Sequence, residues 1–429
     1  MKVRCGWLLL AATLVTAGAA SAAPALHAQY LGEFRPYRMN ETGQIIGNQT
    51  FGGAARGFVV SDSTPLLYLP LPPGMASSIA TDISDTGVVV GATSAQVSPE
   101  FGGVAIAWDP DGQGGFTYRL LGALPGQTLG RATAVNDLGD IVGWSSDGTY
   151  RYAALFTDPD GVQNLNSLIF DPVDINNQRV VVDGSFTVKR LDLDTMVVED
   201  LGVPAGGGYL ATSSVRINEA GQVGGLAIRA TSQDADREPA RYTDGVGWEI
   251  FGPVGVRNSV MDMNEQGDCA ILLYTDLYVR YEGGGTHRVE DLIVDEVGHW
   301  GVSYLSGFTL NSSGWIATYA TNDVTGEVGT ILLKPSDPAG VDEVTSTSRL
   351  ALSAGPNPFR DGSFLRFELP SADRVSLRVV DVNGRTVRDL LDRSELSAGV
   401  CMKSGGTAGP NRVRALRPVY CRSARVQRS

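Results

Sequence analysis

Cysteine is scarce in this sequence, and its placement excludes two common kinds of site. Of the four cysteines in 429 residues, Cys5 lies in an N-terminal apolar segment, Cys269 stands alone, and Cys401 and Cys421 lie near the C-terminus. This spacing builds neither a disulfide framework nor a cysteine-based zinc site.

Histidine is equally scarce, with only His27, His287 and His299 in the chain. A histidine metal site needs a second ligand nearby, and a Ser-His-Asp triad needs partners that the surrounding sequence does not identify. The sequence therefore predicts no catalytic and no cofactor-binding residue, although it leaves open whether the chain has an enzymatic activity.

Basic residues and long apolar runs are also few. Between residues 23 and 399 the formal charge is about −22, because nine of the 34 basic residues and none of the 47 acidic residues lie outside that range. An acidic surface repels nucleic acid and anionic lipid, so we expect neither as a partner. No segment reaches 18 consecutive apolar residues, so no membrane span is expected.

The N-terminus has the layout of a secretory signal peptide. Lys2 and Arg4 precede an apolar run over residues 7–20, and small residues follow. Ala20-Ser21-Ala22 predicts cleavage after Ala22, with Ala28 as the alternative. We therefore expect residues 1–22 to be a signal peptide and the protein to be secreted or held at the cell surface.

A short phrase recurs through the body of the chain: apolar-Asn-x-x-Gly-x-apolar-apolar-Gly. The phrase occurs seven times, and its first copy is MNETGQIIG. The intervals between successive Asn positions are 44, 52, 40, 42, 46 and 47 residues. Repeats of this length indicate propeller blades or solenoid coils. Each copy divides into four short alternating segments separated by turns, which is the content of one blade.

The Asn and first Gly of the phrase predict a tight hairpin. The Asn side chain can accept a hydrogen bond from the backbone two residues on, and Gly can adopt positive φ without steric cost. We assign this structural role to five pairs: Asn40 and Gly43, Asn136 and Gly139, Asn218 and Gly221, Asn264 and Gly267, and Asn311 and Gly314. The fourth copy has Arg179 in place of Gly, so its hairpin is expected to be the least regular.

The two ends of the repeat array predict a closed ring. The segment AQYLGEF before the first phrase matches the fourth segment of later copies, whereas the seventh copy ends after its third segment, VGTILLKP. Pairing of these ends would leave no open sheet edge. We therefore predict an all-β chain with a seven-bladed β-propeller over residues 28–335, closed by its N-terminal strand.

The phrases resemble the HAF repeats of secreted bacterial proteins. The resemblance lies in AVNDLGDIVG, in the strands GFVV, VAIAW and AALF, and in LLGALPG, and it covers about residues 28–335. It implies an extracellular β-rich array without a defined chemistry. The His-Ala of the third strand in that pattern is missing from almost every copy.

The C-terminal part has a different composition. Residues 336–348 have a linker composition, and residues 349–399 contain alternating segments and an Asn383-Gly384 turn that predict a small β-sandwich. Its PNPF, VVDVNGR and LSAG motifs resemble the type IX secretion sorting domain and the FlgD-type immunoglobulin-like module. This resemblance implies contact with an export machinery and a role in surface attachment.

The final segment, residues 400–429, departs from that pattern. It contains seven basic and no acidic residues, where related modules continue with His and Trp-Asp-Gly. A shifted reading frame from Val400 can encode that continuation, so we hypothesise a frameshift near residue 400. The alternative is a genuine, disordered basic extension.

Two weak ligand signals remain in the body of the chain. Asp109 and Asp111, and likewise Asp158 and Asp160, resemble halves of calcium loops, but Asp-Gly also forms hairpin turns, so no cofactor is expected beyond a possible calcium ion. Five tryptophans could stack on sugars or fill the core. The sequence favours a non-catalytic binding or scaffold propeller with a glycan or protein ligand. A glycan hydrolase or lyase is the alternative, and it needs carboxylates at the central channel.

Overall fold

A computed structural model of the chain divides it into two units, residues 23–337 and the remainder. In the first unit it describes residues 24–96, 103–157, 161–185, 187–206, 208–229, 236–252, 258–282, 285–294, 299–303 and 307–335. In the second unit it describes the backbone of separate strands.

The first unit is a seven-bladed β-propeller, which confirms the predicted fold class. Each blade is an antiparallel sheet whose strands follow one another from the channel outward as inner, second, third and outer. The strands of blade 1 are Pro36–Met39, Ile45–Phe51, Ala54–Val60 and Leu67–Tyr68. Those of blade 2 are Ser77–Ile83, Val89–Ser94, Val104–Pro110 and Phe116–Leu120. The strands of blade 3 are Leu129–Val135, Ile141–Ser146, Arg151–Thr157 and Gly161–Asn164. Those of blade 4 are Pro172–Ile175, Val180–Asp183, Lys189–Asp192 and Val197–Asp200.

The remaining blades follow the same plan. The strands of blade 5 are Tyr209–Ile217, Val223–Arg229, Asp236–Thr243 and Gly247–Ile250. Those of blade 6 are Ser259–Met263, Cys269–Leu273, Asp276–Arg280 and Thr286–Arg288. A helix at Val289–Leu292 follows blade 6. Blade 7 has two short inner strands, Trp300–Val302 and Phe308–Leu310, then Ile316–Asn322 and Val328–Pro335.

The outer strand of blade 7 comes from the other end of the repeat array. Leu26–Gly32 pairs antiparallel with Val328–Pro335, from Leu26 opposite Pro335 to Gly32 opposite Thr330. This pairing confirms closure of the ring by the N-terminal strand. Cleavage after Ala28 would remove three residues of this strand, whereas cleavage after Ala22 would leave it whole.

Hydrophobic side chains lock neighbouring blades together. One buried cluster joins Ile46 and Val59 of blade 1 to Val89, Ile106 and Trp108 of blade 2. Alternation along each strand directs one face of the blade to each neighbour, so the core lies between blades rather than in the channel. Trp108 is fully buried, and its Nε1 donates to the carbonyl of Pro70 at 2.9 Å, so it fills the core instead of forming a sugar platform.

The second Gly of the phrase allows a close approach of two backbones. The inner strands of blades 1 to 6 carry a bulge three residues before the phrase Asn position, as between Ala80 and Asp82. Gly91 lies opposite this bulge, and a Cβ there would collide with the carbonyl oxygen of Ile79. The recurring Gly therefore accommodates the bulged backbone of the inner strand.

This difference between the two glycines predicts two different costs of substitution. Gly91→Ala is expected to lower the free energy of unfolding by about 3 kcal/mol, because backbone must shift. Gly139→Ala should cost about 1 kcal/mol, because Gly139 has φ +85 but open space around it. Urea unfolding followed by tryptophan fluorescence measures both. Equal costs would show that the close approach at Gly91 is unimportant.

The described strands of the second unit form two sheets. Leu352–Gly355, Gly362–Leu369, Gly399–Gly406 and Tyr420–Arg422 pair in that order, and Asp373–Val380 pairs with Thr386–Leu396 and with Ala11–Thr16. The β-sandwich, the sorting domain, the signal peptide and the frameshift stay predictions. The linker over 336–348, the Asn383-Gly384 turn and most of the signal and tail segments lie outside the described residues.

Candidate functional site

The turn face is the end of the propeller that carries the seven hairpins between inner and second strands. In six of the seven hairpins an Asn folds back on its own turn. Asn40 Oδ1, for example, accepts from Gln44 N at 2.8 Å, and Asn136 Oδ1 accepts from Asp140 N at 2.8 Å. This partner lies four residues on. A bond from the residue two positions on, as predicted, occurs beside it at Asn264 and Asn311.

The same asparagines also link each blade to the next. Their Nδ2 groups donate to the carbonyl at the phrase Asn position of the following blade, at 2.9–3.5 Å. Six such links are described, made by Asn40, Asn136, Asn176, Asn218, Asn264 and Asn311. In blade 2 the position is Ser84, whose hydroxyl bonds to Thr86 at 2.8 Å. The repeated Asn therefore shapes its turn and also holds the ring together.

The turn glycines have the backbone conformation that the hairpin requires. Gly43, Gly139, Gly221, Gly267 and Gly314 have φ between 74° and 85°. The fourth hairpin does not match the expectation of irregularity.

Arg179 adopts φ 62°, and its N donates to the carbonyl of Asn176 at 3.0 Å, as the glycines do in their own turns. An ion pair between Arg179 Nη2 and Asp140 at 3.2 Å helps to offset the cost of positive φ.

A second ring, the rim ring, surrounds the channel mouth on the turn face. It consists of the residue that follows each phrase Asn position: Glu41, Asp85, Asp137, Asn177, Glu219, Glu265 and Ser312. Each side-chain oxygen accepts the backbone N–H of the preceding member, at 2.7–3.2 Å, and the ring closes between Ser312 and Glu41. Five carboxyl groups thus converge at the mouth.

Three of the rim carboxyl groups, those of Glu41, Asp85 and Glu265, have pKa values above their ordinary range. Burial, followed by the charges of Glu219 and Glu41, raises the pKa of Glu265 to about 7. Burial also raises the pKa of Glu41 and of Asp85. The mouth is therefore an acidic surface whose negative charge increases as the pH rises through neutrality. It attracts cations rather than anions.

Below the rim, five charged side chains fill the channel and form the axial cluster: Arg38, Asp82, Asp174, Arg216 and Asp262. Each lies two residues before a phrase Asn position, where the inner strand directs it to the axis. The aspartate side chains are 4–8% exposed and the arginines 11–12%. Sequence reasoning missed these residues.

The guanidinium groups bridge the aspartates. Arg38 Nη1 lies 3.4 Å from Asp82 Oδ1 and 3.8 Å from Asp174 Oδ1. Arg216 Nη1 lies 3.8 and 3.7 Å from the same two oxygens, and Arg216 Nε donates to Asp262 Oδ1. Each charge therefore faces opposite charges across the channel.

The other aspartate oxygens tie neighbouring blades together. Asp82 Oδ2 accepts from Val135 N at 2.9 Å, and Asp174 Oδ2 accepts from Ile217 N at 2.9 Å. Asp262 Oδ2 accepts from Leu310 N at 3.2 Å and from the hydroxyl of Thr309. In all three cases the donor belongs to the next blade, so one carboxylate oxygen is structural and the other is ion-paired.

The axial cluster contains three carboxyl groups and two guanidiniums, so it is neutral when one carboxyl group is protonated. Burial raises the pKa of Asp174 to about 8 and of Asp262 to about 6, although Arg38 lowers both. Burial likewise raises the pKa of Asp82. Asp82 and Asp174 share both guanidiniums, so the retained proton belongs to this pair.

A cavity of about 140 Å³ lies between the rim ring and the axial cluster. Ligand pockets commonly measure about 300–1,000 Å³. A groove of about 490 Å³ lies beside the channel on the same face, between the turns of blades 4 and 5. Of these two spaces, the groove has the size of a ligand pocket and the channel cavity does not.

The weak calcium candidates occupy ordinary turns where they are described. Asp109 Oδ2 pairs with Arg119 Nε at 3.0 Å, and Asp111 Oδ1 accepts from Gln113 N at 2.7 Å and Gly115 N at 2.8 Å. Asp158 and Asp160 lie outside the described residues. Within the described ranges, no group of three or more His, Cys, Asp or Glu side chains could hold a metal. The expectation of no cofactor other than calcium stays untested.

Comparison with known proteins identifies no family for this chain. No family model and no curated protein matches the chain. Among similar solved structures, an oligogalacturonate lyase in complex with manganese is 12% identical, with a TM-score of 0.44 over 77% of this chain and 98% of that chain. The extracellular domain of a protein assigned to the hybrid two-component systems of B. thetaiotaomicron is 11% identical, with a TM-score of 0.42 over 90% and 53%.

A third similar structure is PorZ, a surface component of the type-IX secretion system of Porphyromonas gingivalis. It is 10% identical, with a TM-score of 0.36 over 87% of this chain and 68% of that chain. These neighbours thus include an extracellular domain and a surface component. As for the membrane, none of the helices in the described ranges has the length and apolar character needed to span it.

Proposed function

We propose that this protein is a secreted or surface-held, non-catalytic propeller that binds an extracellular protein or glycan ligand on its turn face. The observation that carries the proposal is the axial cluster. Its carboxyl groups are nearly buried, and each has one oxygen bonded to the next blade and the other facing an arginine. General acid–base catalysis needs a carboxyl group within reach of a substrate, which this arrangement opposes.

The open, acidic turn face supports a binding role. Interactions between charged surfaces steer partners and select among them. The five carboxyl groups of the rim ring and the groove between blades 4 and 5 lie on this same face. A ligand with positive charge suits this surface better than nucleic acid or an anionic membrane does.

Export rests on the sequence pattern of the two ends. The N-terminal segment has the layout of a signal peptide, and the C-terminal motifs resemble a sorting domain that engages an export machinery. Detection of the propeller outside the cell, with an N-terminus at Ala23, is the expected result. Retention of residues 1–22 on a cytoplasmic protein would contradict it.

The second candidate function is a glycan hydrolase or lyase. It is favoured by the convergence of three aspartates on the channel axis, since glycoside hydrolysis uses a pair of carboxyl groups. Against it stand the small volume of the axial cavity and the mutual ion pairing of the five groups.

One experiment separates the two candidates. Wild type and Asp174→Asn are incubated with a panel of polysaccharides, and reducing ends and unsaturated uronates are measured, while glycan and peptide arrays report binding. We expect binding without depolymerisation. Depolymerisation by wild type that is lost in a folded Asp174→Asn variant would overturn the proposal in favour of the enzyme.

A further inference from the structure

The groove between blades 4 and 5 combines apolar walls with carboxylates. It lies between the hairpins of both blades, and Val180, Val197 and Ala220 contribute its apolar surface. Val197 is 61% exposed although it is a large apolar residue. An apolar surface of this kind can hold the aliphatic part of a long side chain.

Arg190 lines the groove and acts as a clamp between the two blades. Its Nη2 pairs with Glu199 at 2.6 Å and Asp244 at 2.7 Å, and its Nη1 donates to Gly221 O at 2.9 Å and Asp244 at 3.2 Å. Its Nε donates to Glu199 at 3.1 Å. All five N–H groups of the guanidinium therefore have partners, and Arg190 has no donor left for an anionic ligand.

The same clamp recurs at the next blade boundary, which supports a structural role for Arg190. Arg241 of blade 5 donates to Gly267 O at 2.7 Å and to Glu249 at 3.1 Å, and it pairs with Glu282 of blade 6. Each clamp thus uses a carbonyl from the neighbouring hairpin and one carboxylate from each blade.

The remaining charge of the groove is negative. Four carboxylates, those of Asp192, Glu199, Glu219 and Asp244, face one arginine. Glu199 and Asp244 side chains are 54% and 60% exposed, so they keep free acceptor capacity toward solvent after pairing with Arg190. Charge-assisted hydrogen bonds to an ammonium or guanidinium are the strong contacts that such a rim offers.

We propose that the blade 4–5 groove binds the lysine or arginine side chains of a basic peptide segment in a protein partner. This inference rests on the proposed binding function and names its ligand class. The aliphatic stem lies against Val180 and Val197, and the cationic head meets Glu199 and Asp244. The volume of about 490 Å³ holds more than one side chain, which fits a segment of peptide better than a free amine.

Position 220 provides a charge-reversal test with a matched control. Ala220 is exposed at the third position of its hairpin, and Leu138, 64% exposed, has the same place in the hairpin of blade 3. Calorimetry measures the binding of an acetylated, amidated Lys-Val-Lys-Val-Lys peptide, beside its norleucine analogue. We expect Ala220→Lys to weaken binding of the lysine peptide at least tenfold, Ala220→Glu to strengthen it, and Leu138→Lys to change it less than twofold.

The possible outcomes distinguish the groove from the general function. Equal losses in Ala220→Lys and Leu138→Lys, or equal binding of the norleucine peptide, would overturn the groove as the site. If the array experiments still detect a ligand in that case, the proposed binding function survives. If wild type binds neither the lysine peptide nor any arrayed ligand, both proposals fail. Unchanged unfolding midpoints confirm that the variants are folded.

Discussion

Arg216→Met is expected to lower the free energy of unfolding by about 3–5 kcal/mol at pH 7, because it leaves buried carboxylates without their shared partner. Arg216 contacts all three aspartates of the axial cluster. Without it, Arg38 alone faces Asp82 and Asp174, and Asp262 loses its guanidinium. Urea unfolding of the full chain, followed by tryptophan fluorescence, measures the loss, since five of the six tryptophans belong to the propeller.

A surface ion pair supplies the control for Arg216→Met. Arg119 pairs with Asp109 at 3.0 Å, but both side chains are about one third exposed. Arg119→Met should cost at most about 1 kcal/mol. Adding Asp174→Asn to Arg216→Met should restore part of the stability, because one uncompensated carboxyl group is removed. A cost for Arg216→Met as small as that for Arg119→Met would show that the axial cluster does not stabilise the ring.

Leu26→Ala is expected to lower the free energy of unfolding by about 2–5 kcal/mol, because it opens a cavity under the closing strand. Leu26 is fully buried in a core cluster with Trp300, Phe308 and Leu333. Its carbonyl also accepts from Val294 N at 2.9 Å, so the strand is held by backbone on both sides. The same fluorescence-detected unfolding measures the effect.

The neighbouring residue provides the matched control for Leu26→Ala. His27 lies on the same strand with an exposed side chain, and it keeps the same pairing with Lys334. His27→Ala should change the stability by no more than about 0.5 kcal/mol. If Leu26→Ala were equally harmless, the ring would not depend on closure by the N-terminal strand.

The sequence predicted the propeller fold well because a short local motif, repeated seven times, determines it. The phrase Asn and Gly set a hairpin within five residues, and seven copies at blade-length spacing leave few alternatives. The missing fourth segment of the last copy, together with AQYLGEF near the N-terminus, predicted the closing strand. Each of these signals depends on residues close together in sequence.

The candidate site could not be found in the same way, because its contacts join different blades. Arg38, Asp82, Asp174, Arg216 and Asp262 are separated by more than thirty residues each. A signal was present, since all five residues lie two positions before a phrase Asn position. Strand alternation directs side chains at that place toward the axis. Alignment of the seven copies by that position would have placed them together, but not their ion pairs.

The hairpin details were partly mispredicted for a related reason. The Asn side chain reaches the backbone four residues on because its Nδ2 must also donate to the next blade, which fixes its orientation. Arg179 keeps the regular turn, and its ion pair with Asp140 of the preceding blade helps to offset the cost of positive φ. In both cases a contact between blades supports the local geometry, and a single copy of the repeat does not contain it.

The pH dependence of stability in wild type and Asp174→Asn is the most direct measurement of the axial cluster. A raised native pKa means that the folded protein holds a proton that the unfolded chain releases above about pH 4, so stability is lost as pH rises toward 8. Asp174→Asn leaves two carboxylates and two guanidiniums, which need no retained proton.

Between pH 5 and pH 7, the stability of wild type relative to Asp174→Asn should therefore fall by about 1.4 kcal/mol per pH unit, until the variant is the more stable protein. Unfolding free energies at half-unit pH steps give the two curves. Parallel curves would contradict the claim that the axial cluster retains one proton and is thereby neutral in the folded protein.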